Sequence, residues 1–220
     1  MIFLLPTLNE EKGLQEVLPK IKKHFPGLKI LIVDGGSKDR TMEIAKKFGC
    51  EFFVQSGKGK GNGMIEAVER IDENETVAML DSDGSYEPLD IKKMLKMLES
   101  NSIVMGNRLS EGNEKAFTTL NRIGNKMINL TASILFFKRI HDMLTGIRVF
   151  KCKTFKKLNL KAQNFEIETE MTLRSIRKGV KIIETPCRYY ERKGETKLNP
   201  LKDGFRISRR MWLERVGWYG

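Results

Sequence analysis

Val77-Ala78-Met79-Leu80-Asp81-Ser82-Asp83-Gly84 is an apolar run that stops on two carboxylates two positions apart. Its first half has the composition of a buried strand, and the Asp-Ser-Asp-Gly that follows marks where the strand ends and the chain loosens. A hard divalent cation such as magnesium or manganese favours oxygen ligands of this kind, keeps some water and takes further ligands from substrate phosphates. Asp, Ser and Gly are equally common turn formers, so the segment in isolation reads either as a metal-binding strand end or as a turn.

Outward from this segment the first half repeats one pattern. Short apolar runs at Ile2-Leu5, Lys29-Val33, Glu51-Val54, Thr76-Leu80 and Ile103-Met105 alternate with stripes at helical spacing. The stripes are Leu14, Val17, Leu18 and Ile21, then Met64, Ile65, Val68 and Ile71, then Ile91, Met94, Leu95 and Leu98. They read as core packing. The alternation predicts an α/β fold with a mostly parallel central sheet flanked by helices. Unusual polar residues directly follow the strands at Asn9-Glu10, Asp34 to Ser37, Asp81 to Asp83 and Asn107-Arg108. In an open parallel sheet such positions gather along one edge, where ligands bind.

Two glycine segments belong to the same frame. Asp34-Gly35-Gly36-Ser37 runs from a strand into a turn that lets backbone approach a ligand, and Asp34 can accept hydrogen bonds from a base or ribose. Gly57 to Gly63, with Lys58 and Lys60, reads either as a cationic phosphate loop leading into a helix or as a mobile surface turn, and it is not a Walker A sequence.

The second half predicts a long helix near 118–139, a strand over Thr145-Phe150, a helix from about Phe165 to Lys178 and a strand over Val180-Thr185 stopped by Pro186. From Arg188 to Arg215 the chain carries nine Lys or Arg against four Asp or Glu. There is no repeat or low-complexity linker, so residues 1–198 are expected to form one catalytic domain and 199–220 a basic amphipathic tail.

Composition narrows the classes. With 220 residues and 40% hydrophobic content the chain can bury one good core. Cys50, Cys152 and Cys187 are odd in number and show no CxxC spacing, which points away from disulfides and structural zinc and toward a reducing compartment, the cytoplasm. The N-terminal apolar run lacks the basic leader of a signal peptide, and no stretch approaches the ~20 apolar residues of a membrane span. A net charge of +12 calls for an anionic partner: nucleotide diphosphate, nucleic acid or acidic lipid. No nucleic-acid motif is present, so no nucleic-acid partner is expected. No GxGxxG follows the first strand, which disfavours a dinucleotide oxidoreductase.

The order Pro6-Thr7-Leu8-Asn9-Glu10, Asp34-Gly35-Gly36-Ser37, Gly59-Lys60-Gly61, Asp81-Ser82-Asp83, Gly106-Asn107-Arg108, Asp142 with Thr145-Gly146-Ile147-Arg148, and Arg192 to Leu198 resembles glycosyltransferase family 2. Within it the likeness is to the dolichyl-phosphate mannose synthase and polyprenyl-phosphate glycosyltransferase branch, over residues 1 to about 200. Seven motifs in order are far more specific than any one. The resemblance implies a GT-A fold with a Rossmann-like nucleotide-binding half, an inverting mechanism, a nucleotide diphosphate-sugar donor, a polyprenyl phosphate acceptor and a divalent metal, Mg2+ or Mn2+. By the same resemblance Pro6, Asn9 and Glu10 would line the nucleoside pocket and Asp34 would contact the base. Asp81 and Asp83 would hold metal and diphosphate, and Arg108, Arg192 and Lys197 would neutralise donor diphosphate and acceptor phosphate. The implied substrate-binding set also takes in Lys60, Ser82, Ser85 and Arg148, and the implied catalytic set is Asp83, Arg108 and Asp142. The chain departs from the family at Gly35, where many members carry a second Asp, and at Ser85, where mannose synthases carry a metal-binding Gln.

A lipid phosphate acceptor is already anionic and needs no strong general base, in keeping with only two histidines, His24 and His141. A sugar hydroxyl acceptor would need a carboxylate, with Asp142 and the Glu166, Glu168, Glu170 series as candidates, the glutamates otherwise forming a solvated acidic face. In the tail, Leu201, Phe205, Trp212 and Val216 share a helical face flanked by cations, with Trp218 and Tyr219 beyond. That face suits either packing on the domain or on another copy, or a helix lying among lipid headgroups, and the long helix near 118–139 is a second candidate for meeting the membrane. The expected location is cytoplasmic, at the inner face of the membrane where the tail docks on lipid.

Overall fold

In the computed structural model residues 1–197 and 199–217 are described; Leu198, Trp218, Tyr219 and Gly220, and the side chain of Leu201, lie outside that description. The first half is strand and helix in turn: β1 (Ile2–Thr7), α1 (Glu11–His24), β2 (Lys29–Asp34), α2 (Thr41–Lys47), β3 (Glu51–Val54), α3 (Lys60–Glu69) and β4 (Thr76–Met79). After α4 (Ile91–Met97) and β5 (Ser102–Asn107) come α5 (Thr119–Phe136), β6 (Arg148–Lys151), α6 (Cys152–Leu158), α7 (Ile167–Arg177), β7 (Lys181–Pro186) and α8 (Pro200–Val216). All seven strands form one sheet in the order β3-β2-β1-β4-β6-β5-β7.

The period of two along each strand divides the core. In β1, Ile2 and Leu4 face the layer made by α3, α6 and α7, while Phe3 and Leu5 face the layer made by α1, α2 and α4. Each such buried side chain contributes roughly 1.5–3 kcal/mol, so both layers are bound to the sheet along its length. A third cluster, with Ala132, Met143, Leu173, Ile207 and Met211, joins α5, α7 and α8. Beneath it Arg174 and Glu214 form a buried ion pair at 3.0 Å that ties α8 to α7.

The strands read from sequence are present, and one of them runs in an unforeseen direction. β6 lies antiparallel between β4 and β5, while the other pairings are parallel. Its starting residue, Arg148, pairs with Met79 and Met105 near the C-terminal ends of their strands, so the chain enters the sheet from that edge and runs back. The short helix α6 that follows was not legible as a stripe.

Sheet order also places the ligand edge. The chain runs from β1 through β2 to β3 on one side and then returns to β4 on the other, which makes the β1/β4 boundary a topological switch point. β1 pairs with β4 only as far as Leu4 with Met79, whereas its pairing with β2 continues to Thr7. Pro6, which has no N–H to give, stands where β4 has already left. The two chains part there into a cleft.

Candidate active site

Asp81-Ser82-Asp83 leaves β4 at this cleft. Ser82 Oγ donates to the Pro6 carbonyl at 3.0 Å, which ties the segment back to β1. Gly13 of α1 abuts the Ser82-Asp83 backbone so closely that a methyl group on it would overlap Ser82 O. Asp83 Oδ1 accepts from Ser85 N at 3.0 Å and from Ser85 Oγ at 2.5 Å. Asp83 Oδ2 lies 3.6 Å from the Arg192 guanidinium. Asp81 Oδ1 accepts from the Lys60 ammonium, and Gly146 gives Asp81 Oδ2 its room, since a Cβ there would overlap it. Burial alone would raise the Asp81 pKa; Lys60, with Arg108 and Arg192 farther off, outweighs it and holds the carboxyl below its usual range.

The end of β1 meets the turn after β2. Asp34 is buried, and its carboxylate accepts from Gly36 N at 3.1 Å, Ser37 N at 3.0 Å and Ser37 Oγ at 2.5 Å. Asn9, at φ 49, takes Lys38 N on its side-chain oxygen at 2.7 Å. Asp34 thus spends its acceptors on shaping the turn. Opposite, the segment after β7 crosses the cleft: Tyr190 N donates to Ser85 O at 2.8 Å and Lys193 N to Asp83 O at 3.0 Å. Arg192 and Lys197 reach Glu10 Oε1 at 3.1 and 2.6 Å, and Lys197 also donates to Asn9 O at 3.0 Å. Glu10 Oε2 and Arg192 Nε are buried there without a hydrogen-bond partner among the described residues. Burial pushes the Glu10 carboxyl up in pKa despite the two cations.

On the far side of β4, Arg108 donates its backbone N, Nε and Nη2 to Asp142, each at 2.8 Å. Its guanidinium lies 5.7 Å from the Phe117 ring and 5.4 Å from the Tyr189 ring. Burial alone would lower its pKa; Asp142 outweighs that and raises it.

The structure brings Pro6, Asn9, Glu10, Asp34, Asp81, Ser82, Asp83, Ser85, Arg192 and Lys197 to the cleft and corrects several other expectations. Lys60 is not a free phosphate-binding cation: its ammonium is held between Asp81 and Glu168, the latter at 2.5 Å. Its loop is no mobile surface turn either, because Gly61 packs on the Ala162 carbonyl and Asn62 N donates to Gln163 O at 3.0 Å. Asp142 is wholly buried and both its oxygens accept from Arg108, so it orients that cation and is closed off from an acceptor hydroxyl. Arg148 is also wholly buried, with bonds to the carbonyls of Thr145, Met143 and Glu168 and to Thr172 Oγ1, and it cannot meet a ligand. Glu168 and Glu170 are buried and bonded, so the acidic series is not a solvated face. Tyr86, whose buried hydroxyl accepts from Gly146 N at 2.7 Å, and Tyr189 were missed, because single aromatics after a strand carry no spacing signal.

The glycosyl transferase family 2 pattern matches residues 2–159 of this sequence. The chain belongs to glycosyltransferase family 2. Among curated relatives of this glycosyltransferase, the glycosyltransferase AglJ of Haloferax volcanii is 38% identical over 205 residues, 91% of this chain and 67% of that one. The dolichyl-phosphate hexose transferase of the same organism is 31% identical over 207 residues, 94% of this chain and 90% of that one. Among solved structures, glucosyl-3-phosphoglycerate synthase from Mycobacterium tuberculosis, in complex with Mn2+ and uridine-diphosphate-glucose, superposes with a TM-score of 0.76 at 19% identity. That match covers 98% of this chain and 78% of the other, and it identifies the fold as GT-A.

The residues of the cleft fit a divalent cation of the magnesium or manganese type. Asp81 Oδ2 makes no hydrogen bond among the described residues, and Asp83 Oδ2 has only Arg192 at 3.6 Å, so each carboxylate keeps one oxygen uncommitted. No cluster of three or more His, Cys, Asp or Glu suited to a metal exists among the described residues. The donor set is that of an ion that completes its shell with water and phosphate.

Proposed function

We propose that this glycosyltransferase moves a hexosyl group, with inversion, from a nucleotide diphosphate-sugar to a polyprenyl phosphate of the dolichyl type. The observation that carries the acceptor assignment is that three of the four carboxylates weighed as a base are engaged by cations, Asp142 by Arg108, Glu168 by Lys60 and Glu170 by Arg210, while the fourth, Glu166, is buried with Asn164 N on one oxygen at 3.4 Å. A hydroxyl acceptor needs a free base with access to it, whereas a phosphate arrives already ionised. The names of the relatives agree with this reading.

In this reading the nucleoside lies along Pro6, Asn9 and the turn shaped by Asp34, where Glu10 Oε2 and Arg192 Nε await polar partners. Asp81 and Asp83 would hold Mg2+ or Mn2+, which when bound neutralises charge on the donor diphosphate. Ser85 and Ser82 fix the Asp83 carboxylate and backbone, and Lys60 with Glu168 fixes Asp81. The acceptor phosphate oxygen attacks the anomeric carbon in line; its new C–O bond forms as the bond to the diphosphate oxygen breaks, and the electron pair leaves with the nucleotide. Arg192, beside Asp83, meets the charge that builds on that leaving group, and Lys197 meets the charge of the bound donor. Arg108, held by Asp142 and two aromatic rings, presents its remaining edge to the acceptor side. Residues 1–198 carry this chemistry, and 199–220 extend it toward the lipid.

The test supplies radiolabelled guanosine and uridine diphosphate-hexoses, Mn2+ and detergent-dispersed polyprenyl phosphate to the purified protein. Label extracted into organic solvent is the expected result. Label found only in water-soluble product overturns the lipid-phosphate acceptor and favours a saccharide or small-molecule hydroxyl.

A further inference from the structure

Between α5 and β6, residues 137–147 form neither helix nor strand, yet Asp142, Met143, Thr145 and Ile147 in this stretch are wholly buried. Buried backbone with no ladder of its own has to find partners on neighbouring elements. Here side chains supply them. Ile140 N donates to Ser133 Oγ at 3.0 Å, His141 N and Asp142 N donate to Glu184 Oε1 at 3.0 and 2.9 Å, and Met143 N donates to Asn129 Oδ1 at 3.0 Å. The carbonyls are held as well: His141 O accepts from Asn129 Nδ2 at 2.6 Å, Met143 O from Arg148 Nη2 at 2.7 Å and Thr145 O from Arg148 Nε at 3.1 Å.

Glu184 and Asn129 bracket Asp142 from two different elements. Glu184 belongs to β7, where it pairs with Met105 of β5, the strand that ends at Asn107 and delivers Arg108. It therefore fixes the Asp142 backbone against the same strand that carries Arg108. Its second oxygen meets His141 Nδ1 at 2.8 Å, which holds the Glu184 side chain itself in place. Asn129 acts from α5, where it is buried. Aspartate has only two side-chain torsions, so a fixed backbone leaves its carboxylate little freedom.

Backbone satisfaction by itself asks only for donors and acceptors spread anywhere along the loop. Those present converge on Asp142, and Asp142 holds Arg108: Oδ2 accepts from Arg108 N and Nε and Oδ1 from Nη2, each at 2.8 Å. One carboxylate thus sets both the main chain and the guanidinium of Arg108. A misplacement of about 1 Å in such a group can cost about 10² in rate.

We infer that Glu184 and Asn129 are positioning residues for transfer: they set Asp142, and through it Arg108, toward the acceptor. The use made of Arg108 rests on the lipid-phosphate reading above; the hold on it rests on the hydrogen bonds from β7 and α5. Arg148, which cannot meet a ligand, has a place in the same cradle through the carbonyls of Met143 and Thr145.

Transfer of labelled hexose to detergent-dispersed polyprenyl phosphate is measured for Glu184→Ala and Glu184→Gln, each alone and combined with Arg108→Ala. Glu184→Ala is expected to lower kcat by about 10- to 100-fold. KM for the nucleotide-sugar and the Mn2+ concentration for half-maximal activity, set on the other side of β4, should change by less than about twofold. Glu184→Gln keeps an oxygen for His141 N and Asp142 N and is expected to recover most of the loss. In the Arg108→Ala background Glu184→Ala should cost nothing further, since the two act through one unit. Additive losses overturn the inference. A second readout needs no acceptor: the Arg108 Nε–H resonance, identified by its absence from Arg108→Ala, should exchange slowly with water in wild type and Glu184→Gln. In Glu184→Ala it should exchange about tenfold faster or more. Equal exchange in all three also overturns the inference. Asn129→Asp, which keeps the acceptor for Met143 N and loses the donor to His141 O, carries the same tests if Glu184→Ala does not fold. A wild type that transfers nothing to the lipid phosphate sinks the acceptor reading alone, and the resonance then decides.

Discussion

Asp142 takes three hydrogen bonds from Arg108, two of them parallel from the guanidinium edge, while being wholly buried itself. A carboxylate so engaged orients a cation. Asp142→Asn keeps the shape but loses the charge that fixes Arg108, and turnover should fall by about 10²–10³. Arg108→Ala should fall comparably, and the double variant should be no worse than the poorer single one, because both act through one unit. Additive losses in a double-mutant cycle of kcat would give Asp142 a function apart from Arg108. Asp142→Ala, which strands a buried guanidinium, should also lose roughly 3–5 kcal/mol in urea unfolding.

Asp83 should be needed for turnover and not for folding. Asp83→Ala gives up the two bonds from Ser85, worth about 1–3 kcal/mol together, and leaves both core layers untouched. Turnover at saturating Mn2+ is expected to drop below detection while circular dichroism stays that of wild type. Wild-type kcat in this variant would remove the metal assignment.

How much of this was readable in advance depended on whether a signal was local. The Asp-Ser-Asp segment, the Asp34 turn and Glu10 were visible because strand ends of a parallel sheet share one edge, and polar residues there stand out against apolar runs. Arg148, Asp142 and Lys60 misled for the opposite reason: a charged residue at a strand end looks alike whether it meets a ligand or a buried partner from another element. Glu168 and Thr172, which engage Lys60 and Arg148, lie on α7, at least 20 residues away from either in sequence. The antiparallel β6 was hidden too, since strand direction depends on which edge the incoming chain reaches. The helix near 118–139 was legible as a long helix and a candidate membrane contact, but not its exposed stripe, because periodicity reports a face and not what covers it.

Gly146 should tolerate no side chain. A methyl group there would overlap Asp81 Oδ2 and push the carboxylate from the place where the Lys60 ammonium holds it. Gly146→Ala is expected to cost about 1–3 kcal/mol of stability. It should also raise the Mn2+ concentration for half-maximal activity, a shift that a purely structural defect would not cause. Unchanged metal dependence would detach Asp81 from the cation.

Asp39 links two helix starts, accepting from Thr41 N at 3.0 Å and from Glu11 N at 3.2 Å. Burial alone would raise its pKa; the Thr41 and Glu11 donors outweigh it and lower the carboxyl from its ordinary 3.8. A carboxyl depressed in the folded state stabilises it above pH 3.8 and loses that contribution as pH falls toward the folded value. Asp39→Asn should therefore cost about 1 kcal/mol near pH 7, discounted for exposure to solvent. The gap to wild type should begin to narrow below about pH 3.8 and close as pH falls through the depressed folded value. A gap that does not narrow at all below about pH 3.8 in denaturant titrations would trace the loss to something other than the charge.

Lys197 and Arg192 converge on Glu10 Oε1 from the segment that crosses the cleft, and Lys197 is the more removable of the two. Arg192 also lies beside Asp83, whereas among the described residues Lys197 bonds Asn9 O and Glu10. Truncating Lys197 leaves the crossing segment held by Tyr190 N on Ser85 O and Lys193 N on Asp83 O, so the fold should not suffer. Its loss instead takes one positive charge from the mouth of the nucleotide pocket. Lys197→Ala should raise KM for the nucleotide-sugar about tenfold, the equivalent of ~1.4 kcal/mol of binding, with kcat changed much less. Lys197→Arg should recover most of it. A fall in kcat at constant KM would mean that Lys197 meets the charge of the departing diphosphate rather than that of the bound donor.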